Sequence, residues 1–589
     1  MKACARGVMA AFVLAASLTG CASVPSGGRV ITGRPAEPAE QVDDPYVRLI
    51  PVSPRPEWDP AQLVAGFLAA SASFDDGHKV ARRYLTGTAG GWNPGARPPV
   101  LVFADRPRLE ITEQNATRAT VRASGDRLGS IGADGQYISD PKPVDVTFAV
   151  TRAAAGDPWR IGGLPPEARG GLILTKSDVD RAYRTVNLYF FAPDGGTLVP
   201  NGIFLPLVNR RDLPGQLVRA LLDGQTSWLG SAVESAFPSG TRLRDVHVED
   251  DTAVVDLSPQ ARSGDVERMS AQLSWTLRQL SEISRWKLEI GGDTVASRGY
   301  GAVQPVRAWD GNAPDGPALP DQPAYVLGSS GRLSRLTGDQ PQPVLPVGGP
   351  LVRPTVAPDY RQVAGLSPSG DRILLRDLVS GTTFRTVLSR HSAGTHFTAP
   401  AFDRDGALWT VETKKDHSWL WVVPRGGPAF RVTDWGLADR EVKAFRLARD
   451  GVRAAVVVTV DGHAQVQLGR IVRDRSSGLE AGAFLPVSSE LVDAIDLSWR
   501  DYATLAVLGR KGNDTRVLPY LIPVNGGGIS SLGVGALGNP TSIAAAPGAP
   551  VLIGTKDGGP GRVCRQRAPR DTISEWTCPV PGSDPTYAR

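Results

Sequence analysis

The sequence predicts a multidomain protein, with α+β domains in its N-terminal half followed by an all-β propeller of five or six blades. Three observations carry that reading. At 589 residues the chain is too long for one hydrophobic core, on a prior of roughly 100 to 200 residues per domain. As far as about residue 297, helical stripes and strand alternation interleave. Beyond 323 one pattern recurs about 36 to 51 residues apart: a small or apolar lead-in, a tight turn and a hydrophobic strand. That interval is the size of one four-stranded propeller blade. The composition, 41% hydrophobic and 21% charged with 66 Gly and 49 Pro, is that of a folded, turn-rich chain.

The chain opens with Lys2 and Arg6 ahead of an apolar run from Val8 to Ala16, a secretory signal too short for a permanent span. Leu18-Thr19-Gly20-Cys21 then resembles a bacterial lipobox. The resemblance implies removal of residues 1–20 and lipidation of Cys21, with S-diacylglycerol on its sulfur and an N-acyl group on the new terminus. Each buried methylene contributes about 0.8 kcal/mol, so two chains hold where one is marginal. No later run approaches about 20 apolar residues, and the expected location is the cell membrane, lipid-anchored on the extracytoplasmic face. Residues 21–56 carry Pro25, Pro35, Pro38, Pro45, Pro51, Pro54 and Pro56 and read as a semi-extended tether. Processing removes Cys4 and lipidation consumes Cys21, which leaves Cys564 and Cys578 to pair in an oxidising exterior.

Folded structure begins at "DPAQLVAGFLAA": Asp59 can cap a helix, Pro60 suits its first turn, and Gln62 completes a capping box. A short helix at His78 to Leu85 and alternating stretches ending in Trp159 and Ile161 follow, so residues 57–167 are expected to form an α+β domain. Two helices before a meandering sheet resemble the NTF2-like cone fold. Residues 185–297 form a second unit: a strand to the Asp194-Gly195 turn, a helix at Leu213 to Leu222 and a hairpin through Val246 and Val255. A long helix places Met269, Leu273 and Leu277 on one stripe, and "WKLEIGGD" supplies a closing strand. In order, "LYFF", "ALLDG", "SAFPSGTRL", "AVVDLS" and "AQLSWTLRQL" resemble the sporulation-type GerMN domain, which brings no established catalytic residue. Pro- and Gly-rich residues 298–323 read as a linker, and 324–580 as the propeller.

Little in the sequence points to chemistry. Net charge is +5 with acids and bases interspersed, and no basic stripe suits nucleic acid. There is no GxxxxGK[ST], no HExxH and no zinc-spaced Cys/His cluster, and "GLSPSG" at 365–370 lacks the GxSxG spacing. No catalytic residue, metal or cofactor is expected. Asp403-Arg404-Asp405-Gly406 reads as a hairpin turn rather than a calcium loop. His391 and His396 stand five apart in a Ser/Thr/Gly-rich stretch with no obvious carboxylate to orient them, and Asp250-Asp251 suits a turn. Trp409, Trp419, Trp421 and Trp435 crowd the charged segment 413–418, and exposed Trp beside charge suits a partner surface; packing between blades is the alternative for each.

Lipobox, tether, α+β domain, GerMN-like domain and C-terminal propeller, in that order, resemble the actinobacterial lipoprotein LpqB family from end to end. The resemblance implies a non-catalytic accessory lipoprotein. Its implied partners are the bilayer, through the acyl anchor, and the extracellular domain of a two-component sensor kinase of the MtrA/MtrB type that governs envelope and division responses. The rival reading is a cell-wall glycan binder or propeller-based hydrolase, which requires acidic and aromatic side chains to converge on the propeller axis.

Overall fold

The computed structural model describes residues 50–74, 77–207, 212–316, 322–328, 331–344, 349, 351–381, 383–474, 478–512, 514–533, 537–556, 561–566 and 576–588. The signal, Cys21, most of the tether and Asp75-Asp76 lie outside them. None of the described helices is long and apolar enough to cross a membrane.

Helix α1 (Pro60–Ser71) starts as its residues dictate: Gln62 N donates to Asp59 Oδ1 at 2.8 Å and Asp59 N donates back to Gln62 Oε1 at 3.1 Å. Its buried stripe, Leu63, Val64 and Phe67, lies on a sheet made from β1 (Val100–Phe103), β2 (Arg108–Gln114), β3 (Arg118–Ile131), β4 (Tyr137–Thr151), β5 (Arg160–Gly163) and β6 (Leu172–Thr175). The sheet order is β5-β4-β3-β1-β6, with β2 also on β3. The second short helix, α2 (Lys79–Arg82), follows His78, which adopts φ +62°. The domain does not end at 167. After α3 (Pro166–Arg169), β6 pairs in parallel with β1, and α4 (Lys176–Ala182) follows. "VLVF" and "LILT" are short apolar runs without alternation, as strands buried on both faces are, so periodicity does not expose the pairing. The described end of the tether is pinned to this domain, with Tyr84 Oη donating to the Val52 carbonyl at 2.6 Å.

The next module pairs β7 (Tyr183–Phe191) with β8 (Leu198–Pro206) as a hairpin. It continues with α5 (Leu213–Asp223), β9 (Leu243–Glu249), β10 (Thr252–Leu257), α6 (Val266–Leu277), β11 (Arg285–Ile290), β12 (Asp293–Val295) and β13 (Val303–Pro305). Strands β10 and β11 are parallel, with α6 as their crossover. Helix α6 carries the expected stripe, yet its other faces are covered too: Ser270, Gln272 and Ser274 are fully buried. Each is hydrogen-bonded, Ser274 Oγ accepting from Trp286 Nε1 at 2.7 Å and Gln272 Nε2 donating to the Tyr189 carbonyl at 2.6 Å. The cover comes partly from the segment expected to be a linker. Within 298–323, β13 pairs with β11 and the Trp309 carbonyl accepts from Trp275 Nε1 at 2.8 Å, so this stretch belongs to the module.

Among the described residues, the remaining strands group into six blades of four or five strands each. Blades 2, 3, 5 and 6 begin at Val352, His396, Leu491 and Pro540, and blade 4 takes in Asp434–Trp435 before its run of longer strands from Val442. Blade 1 takes three strands from 324–343, and its innermost strand is Ser583–Tyr587, which pairs antiparallel with Ala324–Leu327. The propeller therefore runs past 580, because the last strand of the chain closes the ring against the first. Cys564 and Cys578 are bonded across Arg562–Gln566 and Trp576–Pro581, the outer strands of blade 6 immediately before that closing strand.

The propeller packs on the second module through the turns that join the first two strands of blades 3, 4 and 5. Arg404 pairs with Asp194; Tyr502 packs on Tyr189 and Trp275 with ring centroids at 6.2 and 6.1 Å; and Tyr502 N donates to Asp315 Oδ2 at 3.0 Å. One apolar cluster runs from Val186, Leu217 and Trp286 in the module to Val457 and Val507 in blades 4 and 5.

Candidate partner-binding surface

Strand alternation in blade 3 divides the four tryptophans. In the hairpin Leu408–Lys414/His417–Val423, Trp409 is paired with Val422 on one face, while Glu412 with Trp419 and Thr410 with Trp421 occupy the other. The first face meets blade 4. There Trp409, Trp435 and Phe445 share one buried cluster, with Trp409 Nε1 donating to Asp403 Oδ2 and Trp435 Nε1 to Ser418 Oγ, both at 2.9 Å. With 2% and 7% of their surfaces exposed, Trp409 and Trp435 are packing residues and not a partner surface. A wide aromatic with its N–H satisfied fills the wedge between two blades, which the crowding of Trp along the sequence does not reveal.

The second face turns toward blade 2 and opens at the rim. Trp421 is partly buried against the blade 2 to blade 3 cluster, and Trp419 is half-buried further out. Between them Glu412 is fully buried, and its carboxylate collects four donors. His391 N reaches it at 2.9 Å, Trp421 Nε1 at 3.0 Å and His391 Nδ1 at 2.8 Å, and Thr395 Oγ1 also donates. A buried carboxylate needs such partners, and these hold the loop, the imidazole and one indole in a single arrangement. Nδ1 of His391 carries the proton toward Glu412, and the ring lies edge-on to Trp419 at 4.3 Å between centroids. His417 stacks on the same indole at 6.4 Å. Arg390, Lys414, Lys415 and His417 are exposed around the pair, with Asp416 beside His417 at 3.3 Å.

Sequence reasoning missed Glu412 because it lies 21 residues from His391 along the chain, on another strand. The expectation that His391 lacks a carboxylate partner is corrected by this pair. His391 and His396 are not brought together as a site: His396 is opposite Thr413, one residue along the strand from Glu412 and so on the other sheet face. Among the described residues no group of three His, Cys, Asp or Glu side chains could hold a metal. The turn at 415–416 lies at the opposite end of the blade 3 strands from the Asp403–Gly406 turn that contacts the second module, where Asp403 Oδ1 accepts from the Asp405 and Ala407 amides. This rim therefore faces away from the α+β modules.

The propeller axis is filled differently from what a glycan pocket requires. Two arginines and two aspartates converge there: Arg353 Nη1 lies 3.1 Å and Arg446 Nη2 3.3 Å from Asp496, and Arg353 Nε lies 3.5 Å from Asp584. The space left is about 40 Å³, well below the range of small-ligand sites. Asp496 and Asp584 line this point beside Tyr587, but the arginines engage both carboxylates.

The propeller matches the family model described as "Lipoprotein LpqB beta-propeller domain" over residues 331–576. Residues 53–180 match "Lipoprotein LpqB, N-terminal domain", and 187–296 match "Sporulation and spore germination". A protein named "Lipoprotein LpqB" from Thermobifida fusca is 33% identical over 98% of this chain and 97% of its own length. One of the same name from Streptomyces coelicolor is 31% identical over 86% of each. Among solved structures, TolB from Acinetobacter baumannii is similar over 59% of this chain and 99% of that one, at 15% identity and a TM-score of 0.34.

Proposed function

This chain belongs to the lipoprotein LpqB family, and from that premise we propose that it is a non-catalytic accessory regulator of a two-component sensor kinase of the MtrA/MtrB type, held by Cys21 on the extracytoplasmic face of the cell membrane and acting on envelope and division responses. The observation that carries the reading is the blade 3 rim. Trp419, braced by the buried Glu412 and by His391 and ringed by basic side chains, is a rigid aromatic anchor on the propeller end turned away from the other modules. An acyl anchor and tether raise the effective concentration of this surface toward any membrane-embedded partner, so a contact weak in free solution suffices. Binding one signalling state of the kinase better than another then shifts its equilibrium by the difference in affinity.

The test is crosslinking and pull-down from intact membranes with the native chain, Cys21→Ala and Trp419→Ala. Recovery of a sensor kinase by the native protein, reduced by either substitution, is expected. Recovery of wall glycan with no membrane kinase, or of kinase undiminished by both substitutions, overturns the proposal.

A further inference from the structure

A cavity of about 840 Å³, open to solvent, lies between the N-terminal domain and α5 of the second module. That is the range of small-ligand sites. Its floor is apolar, from Phe74, Leu205 and Val246. Two guanidinium groups line it, Arg82 from the first domain and Arg219 from α5. Among the described residues neither has a carboxylate partner; Arg82 donates only to the Trp92 carbonyl and Asn93 Oδ1, at 3.3 and 3.4 Å. A third arginine in the cleft, Arg97, is neutralised by Asp223 in an ion pair that spans from one module to the other. Asp212 is the remaining acid among the described residues that line it.

His78 also lines the cleft, 96% buried, with neither ring nitrogen in hydrogen-bond geometry, although the Ser71 and Ser73 carbonyls lie beside it. Burial, and secondarily Arg82, push it down to about 4, so it faces the cavity as a neutral ring. On α5, Gly215 is buried against the cleft; a Cβ there would meet only the flexible end of Arg219, at 3.5 Å. The helix thus omits a side chain where one would fit, although Gly is among the poorest helix formers.

We propose that this cleft binds an anionic amphiphile, its carboxylate or phosphate head taken by Arg82 and Arg219 and its apolar body lying on Phe74, Leu205 and Val246. Two guanidinium groups that, among the described residues, have no carboxylate partner stand beside an apolar floor, an arrangement that one anion carrying an apolar tail complements. The Arg97–Asp223 ion pair ties the two modules together where they line the cleft. The assignment does not depend on the partner surface of blade 3.

Isothermal titration of the mature chain with decanoate, below its micelle range, tests this. Decanol tests the need for the charged head, and decyl phosphate distinguishes the two head groups. Saturable binding of decanoate or decyl phosphate is expected, weakened at least tenfold in Arg219→Glu, abolished in Gly215→Phe and absent for decanol. Arg516→Glu, exposed on the propeller far along the chain from the cleft residues, should bind as the native chain does. Arg219 is exposed, so its reversal tests the site even if Gly215→Phe does not fold. No saturable binding by the native chain, native affinity in a folded Arg219→Glu, or equal binding of decanol overturns the proposal.

Discussion

Replacing Asp315 by Asn probes the joint between the second module and the propeller. Burial, and then the charge of Asp501, push the Asp315 carboxyl up to about 7, while the Tyr502 amide, Arg449 and Arg453 pull the other way. Asp501 is itself raised by burial, so two carboxyls meet here with too little compensating charge. Below pH 3.8 the group is protonated whether the chain is folded or unfolded. Between about pH 4 and 7 the unfolded chain loses the proton and the folded one keeps it, so stability falls as pH rises and levels off above about 7. A carboxyl moved from 3.8 to about 7 corresponds to roughly 4 kcal/mol at full linkage. Asp315 keeps some contact with solvent, and screening brings the expected loss nearer to about 2 kcal/mol. Asn keeps an oxygen to accept the Tyr502 N–H and has no proton to lose. Thermal unfolding of the native and Asp315→Asn chains at pH 5 and pH 8 is the assay. The native midpoint should drop between the two and that of the variant should drop much less, leaving the variant ahead at pH 8. An equal pH-induced shift in both would refute the argument.

Trp409→Ala should destabilise the propeller by about 3 to 5 kcal/mol, as expected for deleting a buried aromatic, whereas Trp419→Ala should cost far less stability and instead lower kinase capture; paired denaturation and pull-down measurements separate the two. Glu412→Gln leaves the Glu412 site without its charge, and chemical denaturation should register a loss of about 1 to 3 kcal/mol, together with altered His391 ring chemical shifts by NMR. Reduction, or Cys578→Ser, should lower propeller stability by about 3 kcal/mol for a loop of roughly 15 residues, read as a drop in melting temperature that reductant does not deepen in the variant. Cys21→Ser should move the protein from the detergent phase to the aqueous phase on phase partitioning.

Features set by neighbours along the chain were legible from the residues. The Asp59 and Gln62 capping box, the turn after Phe191, the α6 stripe and the repeated strand and turn unit of the blades rest on contacts within a few residues, where side-chain type and spacing decide the outcome. What depends on the far side of a strand or helix was decided by the tertiary structure. The alternation of Trp409 and Trp419 is readable, but which face meets blade 4 and which opens at the rim depends on how the ring is assembled. The parallel pairing of β1 with β6, the inclusion of 303–305 in the second module and the closing strand 583–587 join segments distant in sequence. Their ends meet only when the burial they share outweighs the entropy of closing the intervening loop, a balance no local pattern records. Glu412 with His391, and Asp315 beside Asp501, follow the same rule: the residue types are ordinary, and only the packing that withdraws them from water turns them into a braced surface and a titrating joint.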